Sequence, residues 1–492
     1  MQYRKRYAIL FALIMCCIFG MWAVPARRIT IMVTQPDGTT LELTQHGDEY
    51  FHYLVTTDGI PVIREISAYY YAHIDEEGIK STGLLAHEIE SRTPEERAFI
   101  ERLSNDLEQA HATRLQQSTA RRSSATKAKN EVPTQGDIYV PVLLVQYADV
   151  KLSYPKSTFE NRINGENYTA EGGCGSIRDY FTDQSDGQFR PQFDIIGPIT
   201  LSKNMEYYGG NDKQGTDLRP REMIKEACQK AYNENKVDFK RYDNNNDGYV
   251  DIVYVIYAGY GEASYPDMLE NTIWPHQWDL ESPLKLGSTG TMIDRYACNN
   301  ELNGYAGTEL DGIGTFCHEF SHCLGLPDFY DTSDGGTFGM SSWSIMDYGC
   351  YNDDGHTPCG YTAYEKDFLG WTSLVELNNP TIVTLKPLSK GGKGYKIIND
   401  NNPNEFYVVE YSDKDGWNKN AQAEGMLVTH VDYLESAWHE NIVNNDPKHP
   451  RVTIIPADGK STSQTLTGDT PSETLNSPQL AILPLKFIVA DI

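Results

Sequence analysis

Residues 312–331, GIGTFCHEFSHCLGLPDFYD, decide how the rest of the chain is read. Ile313, Phe316, Cys317, Phe320 and Leu324 fall at i, i+3, i+4, i+7 and i+11, the period of an amphipathic helix with one core-facing stripe. His318 and His322 stand four apart, so their imidazoles rise one turn apart on one face and can grip a single metal ion. Glu319 lies beside them, placed to take a proton from water at the metal. Gly325 then ends the helix, because a left-handed residue there lets the chain turn sharply. That turn brings Asp328 back as a third ligand. Two imidazoles and a carboxylate leave a fourth tetrahedral position for water, the arrangement of a catalytic rather than a structural zinc site. The plain alternative is a pair of core histidines bonded to backbone carbonyls. An HExxH match arises by chance in roughly one chain in fifty of this length and composition. Requiring the glycine and aspartate as well lowers that by about a further hundredfold.

Downstream stands SSWSIMDYG, residues 341–349. With the helix before it, this resembles the metzincin clan, whose zinc helix runs to a third ligand and is followed by a methionine turn beneath the metal. The resemblance implies that Met346 is that methionine and that Tyr348 is the tyrosine some members use near the zinc. A core methionine is the bland reading of Met346. A closer resemblance is to the immune inhibitor A type of bacterial metallopeptidase, whose third ligand is aspartate, as in HEFSHCLGLPD here. GSIRDYFTDQSDGQF, FDIIGPITLS, IYAGYGEA and IWPH all look like that family's catalytic domain, and QPDGTTLELTQHGDEYFHYLVTTDG resembles its leader region. The likeness runs from about residue 30 to about residue 460 and implies a zinc endopeptidase with an inhibitory N-terminal segment.

Working outward, the 492 residues suit two or three folded units. MQYRKRY, then the apolar run AILFALIMCCIFGMWAV and the small-residue site around Val24-Pro25-Ala26, follow the order of a secretory signal peptide over 1–26. Short alternating runs flank Pro36-Asp37-Gly38 and Asp58-Gly59, so β-hairpins open a propeptide that extends with its linker over 27–135. Thr93-Pro94-Glu95-Glu96 starts a polar helix that reaches about Leu115. QQSTARRSSATKAKNE has no apolar period and, at Arg121-Arg122, offers a processing site. From VPVLLVQY onward, buried strands alternate with the helix RPREMIKEACQKAYNEN and the strand DIVYVIYAG. The expected fold is mixed α/β (α+β): a zincin- or metzincin-like catalytic domain over 136–372, then a β-rich C-terminal domain over 373–492 built from PTIVTLK, GYKII, EFYVVEY and GMLVTHVDY.

The net charge of −27 argues against nucleic acid as a partner, since phosphate binding needs a positive field. Asp243, Asn245, Asp247, Tyr249 and Asp251, with Gly248 at the sixth position, match the first nine places of a calcium loop. Tyr254 at the twelfth place cannot supply the usual bidentate carboxylate, and a polar turn is the competing reading. Seven cysteines remain beyond the leader, and none lies between Cys17 and Cys174, which excludes latency through a propeptide thiolate. A carboxylate could do that work, and Asp48 is the candidate.

The expected function is a secreted zinc endopeptidase, released, periplasmic or held at the cell surface. Glu319 is its general base, Tyr348 steadies the oxyanion, and zinc and calcium are its ions. Partners are protein or peptide substrates laid as an added strand along TMIDRYACNN, with no membrane span after leader removal and a monomeric state. Two other readings compete: a zinc amidase acting on cell-wall peptides, and a calcium-dependent surface-binding protein with an inactive metal site.

Overall fold

A computed structural model describes residues 22–75, 78–103, 132–212, 215–264, 271–287, 290–333 and 337–456. The leader expected over 1–26 falls outside it up to residue 21, as do the linker with Arg121-Arg122 and the end of the chain.

The chain is first seen as a two-residue strand, β1 (Trp22–Ala23). Six strands then form one antiparallel sheet in sequence order: β2 (Thr30–Thr34), β3 (Thr40–Asp48), β4 (Phe51–Thr56), β5 (Pro61–Glu65), β6 (Ala68–Asp75) and β7 (Gly78–Leu85). Gly38 and Gly59 take positive φ at the expected turns. The alternating residues Leu41, Leu43, Leu54 and Val62 meet Tyr69 and Tyr71 in its core. Thr93 and Glu96 cap each other's backbone N–H groups at the start of the expected helix, which is described from residue 94 to residue 103.

The central sheet contains β8 (Gly136–Gln146), β9 (Phe189–Thr200), β10 (Val253–Tyr260), β11 (His276–Lys285) and β12 (Met292–Leu302). Its order is β1-β11-β12-β10-β8-β9. β12, β10, β8 and β9 run parallel, whereas β11 is antiparallel to β12 and β1 antiparallel to β11. The run VPVLLVQY is buried on both faces, as parallel strands require. One face is covered by the helix Pro220–Asn233 through Met223, Ile224, Ala227, Cys228 and Ala231. The other carries the helix Ile313–Cys323, where Tyr254 stacks on Phe316 at 3.7 Å and Phe320 packs against Phe181, Phe189 and Phe193.

A third sheet orders β13 (Val375–Glu376), β14 (Tyr395–Asn399), β15 (Asn402–Ser412), β16 (Gly425–Asp432) and β17 (Val452–Ile454) in sequence. The strand expected in PTIVTLK does not form: residues 380–386 pair with no strand, and Ile382 is exposed. A β-prone run without a neighbour to pair with stays irregular.

Candidate active site

The helix Ile313–Cys323 is buried on every side rather than along one stripe. Its first turn lies hard against the segment 350–355, and side chains at Gly312 and Gly314 would collide with the backbone of Gly355 and Cys350. Its last turn ends at Leu324, after which Gly325 takes φ +106° and the chain doubles back. Leu326 and Asp328 thereby face the helix they have just left.

His318, His322 and Asp328 are fully buried and bring one ligand atom each within 4.8 Å of one another, a gathering unique among the described residues. His318 Nδ1 lies 2.7 Å from the Ile345 carbonyl and His322 Nδ1 lies 2.7 Å from the Leu326 carbonyl. A carbonyl only accepts, so each Nδ1 is the donor, and each Nε2 is turned inward. The two Nε2 atoms are 3.0 Å apart and 3.1 and 3.3 Å from Asp328 Oδ1, which forms no hydrogen bond among the described residues. Two lone pairs and a carboxylate oxygen converging in a buried space repel one another unless a cation stands between them. The donor set of two nitrogens and one oxygen fits zinc.

Asp328 is fixed from outside the central unit. Asn441, in the left-handed region at φ +54°, donates from Nδ2 to Asp328 Oδ2 at 2.5 Å and accepts the Asp328 backbone N–H at 2.7 Å. Asn444 donates to the Phe329 carbonyl, and Asn445 accepts from Thr332. Met346 is buried; its carbonyl accepts the Phe329 N–H at 2.7 Å, tying the methionine turn to the ligand loop while Ile345 holds His318.

Glu319 is buried beside the ligands. Burial pushes its carboxyl well above the usual carboxylate range; the Val24 N–H pulls it back and the Asp328 charge pushes it further. Its Oε1 accepts that Val24 N–H at 2.9 Å, and its Oε2 has no partner among the described residues. The segment Trp22–Arg28 thus lies in the cleft. Trp22 packs edge-on against His322 with ring centroids 5.2 Å apart, Tyr330 donates to the Ala23 carbonyl at 2.7 Å, Trp274 to the Val24 carbonyl and Tyr351 to the Pro25 carbonyl. Trp22–Ala26, placed at the end of the leader by the sequence, is therefore folded against the site.

Other expected positions fall differently. Asp48 is buried at the β3–β4 turn, where its Oδ1 accepts the Tyr50 and Phe51 N–H groups; it is not among the gathered ligands. TMIDRYACNN is no edge: β12 pairs with β11 on one side and β10 on the other, so the border open to an added strand is β11. Tyr348 sits under the guanidinium of Arg28, 4.3 Å from ring centroid to Cζ, while Tyr330, which spacing did not single out, reaches a cleft carbonyl. In the loop 243–251, Asp243, Asn245 and Asp247 accept backbone N–H groups of the loop itself, and Asp251 accepts from Asn244. Burial raises the Asp251 carboxyl to about 6. Among the described residues the loop's carboxylates do not gather as His318, His322 and Asp328 do, and Tyr249 bridges to Met292. All seven cysteines among the described residues are free thiols.

The buried cluster of two histidines and one carboxylate, with a glutamate beside it, lies over a mixed sheet whose border holds an extended segment. Residues 145–373 match the profile of the immune inhibitor A peptidase M6 catalytic domain. The chain is similar to immune inhibitor A of Bacillus thuringiensis subsp. alesti, with 27% identity over 284 residues, 49% of this chain and 41% of that protein. It is also similar to the pre-pro-metalloprotease PrtV of Vibrio cholerae, with 30% identity over 226 residues, 42% of this chain and 24% of that protein. The matches span less than half the length of either relative.

Proposed function

We propose that this chain is an exported zinc endopeptidase made as a latent precursor. One observation carries the reading: the Ala23–Val24 peptide group lies in the cleft with its nitrogen on Glu319 and its carbonyl oxygen on Tyr330, beside the gathered ligands. Those are the contacts that hydrolysis of a peptide bond asks of a base and an oxyanion donor. His318, His322 and Asp328 would hold zinc, which when bound supplies Lewis acidity and a water of lowered pKa.

The protein's own groups do the rest. The border of β11 takes a substrate as an added antiparallel strand, as it takes β1. Glu319, kept dry and basic by burial, accepts the proton of the attacking water and returns it to the leaving nitrogen. The Tyr330 hydroxyl, rather than that of Tyr348, which Arg28 covers, donates to the carbonyl oxygen as it gains charge. Latency follows from Trp22–Arg28, which fills the place of the substrate, rather than from Asp48. Export is supported by the cationic start and apolar run of residues 1–21. For Trp22–Ala26 to stay in the cleft, the leader expected over 1–26 would be cut before Trp22. A relative named a pre-pro-metalloprotease is consistent with a leader and a separate pro-segment. Calcium at Asp243, Asn245, Asp247, Tyr249 and Asp251 would replace the loop's internal bonds and stiffen it.

The test is casein digestion by the processed chain, with zinc counted in parallel. Loss of digestion in Glu319→Ala and on chelation, with zinc retained in the variant, is the expected result. A zinc-loaded wild type that cuts cell-wall peptides alone, or nothing, would overturn the reading.

A further inference from the structure

Beyond Val24 the cleft segment ends in two arginines, and the surface that receives them is built for a guanidinium. Arg27 is almost fully buried although it carries a charge. Two of its nitrogens are taken separately, one by Asn303 Oδ1 and one by Asp354 Oδ1 at 2.7 Å, while its Cζ lies 5.6 Å from the Tyr351 ring centroid. Arg28 lies flat over Tyr348. A pocket of about 420 Å³ opens beside them, with Arg27 and Arg28 in its lining together with Asn303, Tyr348, Tyr351 and Asp354. Part-buried Asp311 stands within electrostatic reach of Arg27, and its Oδ2 has no hydrogen bond among the described residues.

The backbone is shaped to present this charge. Asp353 and Asp354 both sit in the left-handed region, at φ +55° and +53°, a conformation that non-glycine residues adopt at some cost. Asp353 is turned away to Thr357, and Asp354 is left projecting, its side chain 78% exposed. A fork of two acceptors at the end of a tyrosine-walled pocket selects guanidinium over ammonium: arginine offers two separate nitrogens and a flat face, lysine a single compact head.

We propose that Asn303, Tyr348, Tyr351 and Asp354 form an arginine-selective subsite for peptide substrates, rented by Arg27 and Arg28 until the segment leaves. The inference rests on the peptidase reading above. Because the Val24 nitrogen touches Glu319 as a leaving nitrogen would, Arg27 and Arg28 occupy the fourth and fifth residues after the cleaved bond. The favoured substrates are proteins with arginines at those two places.

The full-length chain, after processing, would be given fluorogenic peptides that differ only there: arginine pair, citrulline pair, lysine pair. Citrulline keeps the shape and removes the charge. The arginine peptide is expected to be cut about tenfold better than the citrulline one in kcat/KM, chiefly through KM, with lysine between. In Asp354→Asn, a change that the left-handed backbone tolerates, the arginine-to-citrulline ratio is expected to fall to about threefold or less. Equal cleavage of all three peptides would overturn the subsite and leave the peptidase reading standing, as would an unchanged ratio in Asp354→Asn. Failure to cut any peptide, or casein, would overturn both.

Discussion

Asn441 and Asp328, 113 residues apart, share two hydrogen bonds that decide which carboxylate oxygen faces the histidines. Oδ2 is claimed by the amide, so Oδ1 is the oxygen left for a cation. Asn441 lies beyond residue 373, where the family match ends. The proposed metal centre therefore draws on a residue outside the matched region. Replacing Asn441 by leucine is expected to weaken zinc binding by about 10–100-fold, read by competition with a chelator on the full chain, whereas Asn441→Gln should recover part of it. Unchanged affinity in the leucine variant would show that the helix and turn alone orient Asp328.

Glu319 divides metal binding from chemistry. In Glu319→Ala, zinc content should match wild type, while peptide hydrolysis drops by about 10²–10⁴-fold. A parallel loss of zinc would mean that the carboxylate serves the site's structure instead.

The two tyrosines can be told apart. Tyr330 touches the cleft carbonyl, and Tyr348 is covered by Arg28. Tyr330→Phe is expected to lower kcat about 10²–10³-fold with KM little changed, and Tyr348→Phe to act mainly on KM. The reverse pattern would return the oxyanion role to Tyr348.

Docking of the N-terminal sheet should depend on pH through His52. Its ring stacks on Trp274 at 4.7 Å and its Nε2 lies 3.4 Å from Glu262, with Asp48 on its own hairpin and Asp217 near Glu262. Burial works against the charged ring, but Glu262 outweighs it and holds the pKa above the ordinary 6.5. The docked state thus binds this proton more tightly than the free state. Its contribution is complete below about 6.5 and is lost as pH rises through the raised value. A chain nicked in its linker should release the N-terminal sheet more readily at high pH, as size-exclusion chromatography would detect; His52→Phe should flatten that dependence. Release that steepens at acid pH would contradict the assignment.

If calcium holds the 243–251 loop, chelation should lower the melting temperature of wild type but not of Asp243→Ala, because the ion stabilises only a state that binds it. Identical melting curves with and without calcium would leave the loop as a polar turn.

What the sequence discloses and what it hides follow one division. The helix Ile313–Cys323, its glycine stop and the returning aspartate are legible because His318, His322, Gly325 and Asp328 lie within eleven residues and their geometry is local. The hairpins at Gly38 and Gly59 and the buried stripe of Pro220–Asn233 are legible for the same reason. Tyr330, Asn441 and the cleft segment are hidden, because each works through a partner more than a hundred residues away. The misplaced substrate strand has a related cause: strand order is a tertiary fact, and nothing in TMIDRYACNN says that β11 folds outside it. Asp48 is an acid in a leader-like stretch, but its Oδ1 accepts two N–H groups of its own turn.

The border strand carries one more consequence. Most of β11 is a poor template for another chain, since its pairing with β12 is interrupted between Asp279 and Leu284 and Glu281 takes φ +61° there. The regular part at His276 and Gln277 is what Trp22 and Ala23 cover. Unpaired strand borders are where proteins stick to their own kind. If Trp22 and Ala23 are what keeps the proposed cleft closed, they also guard that border against self-association, so solubility should decline at the moment activity begins.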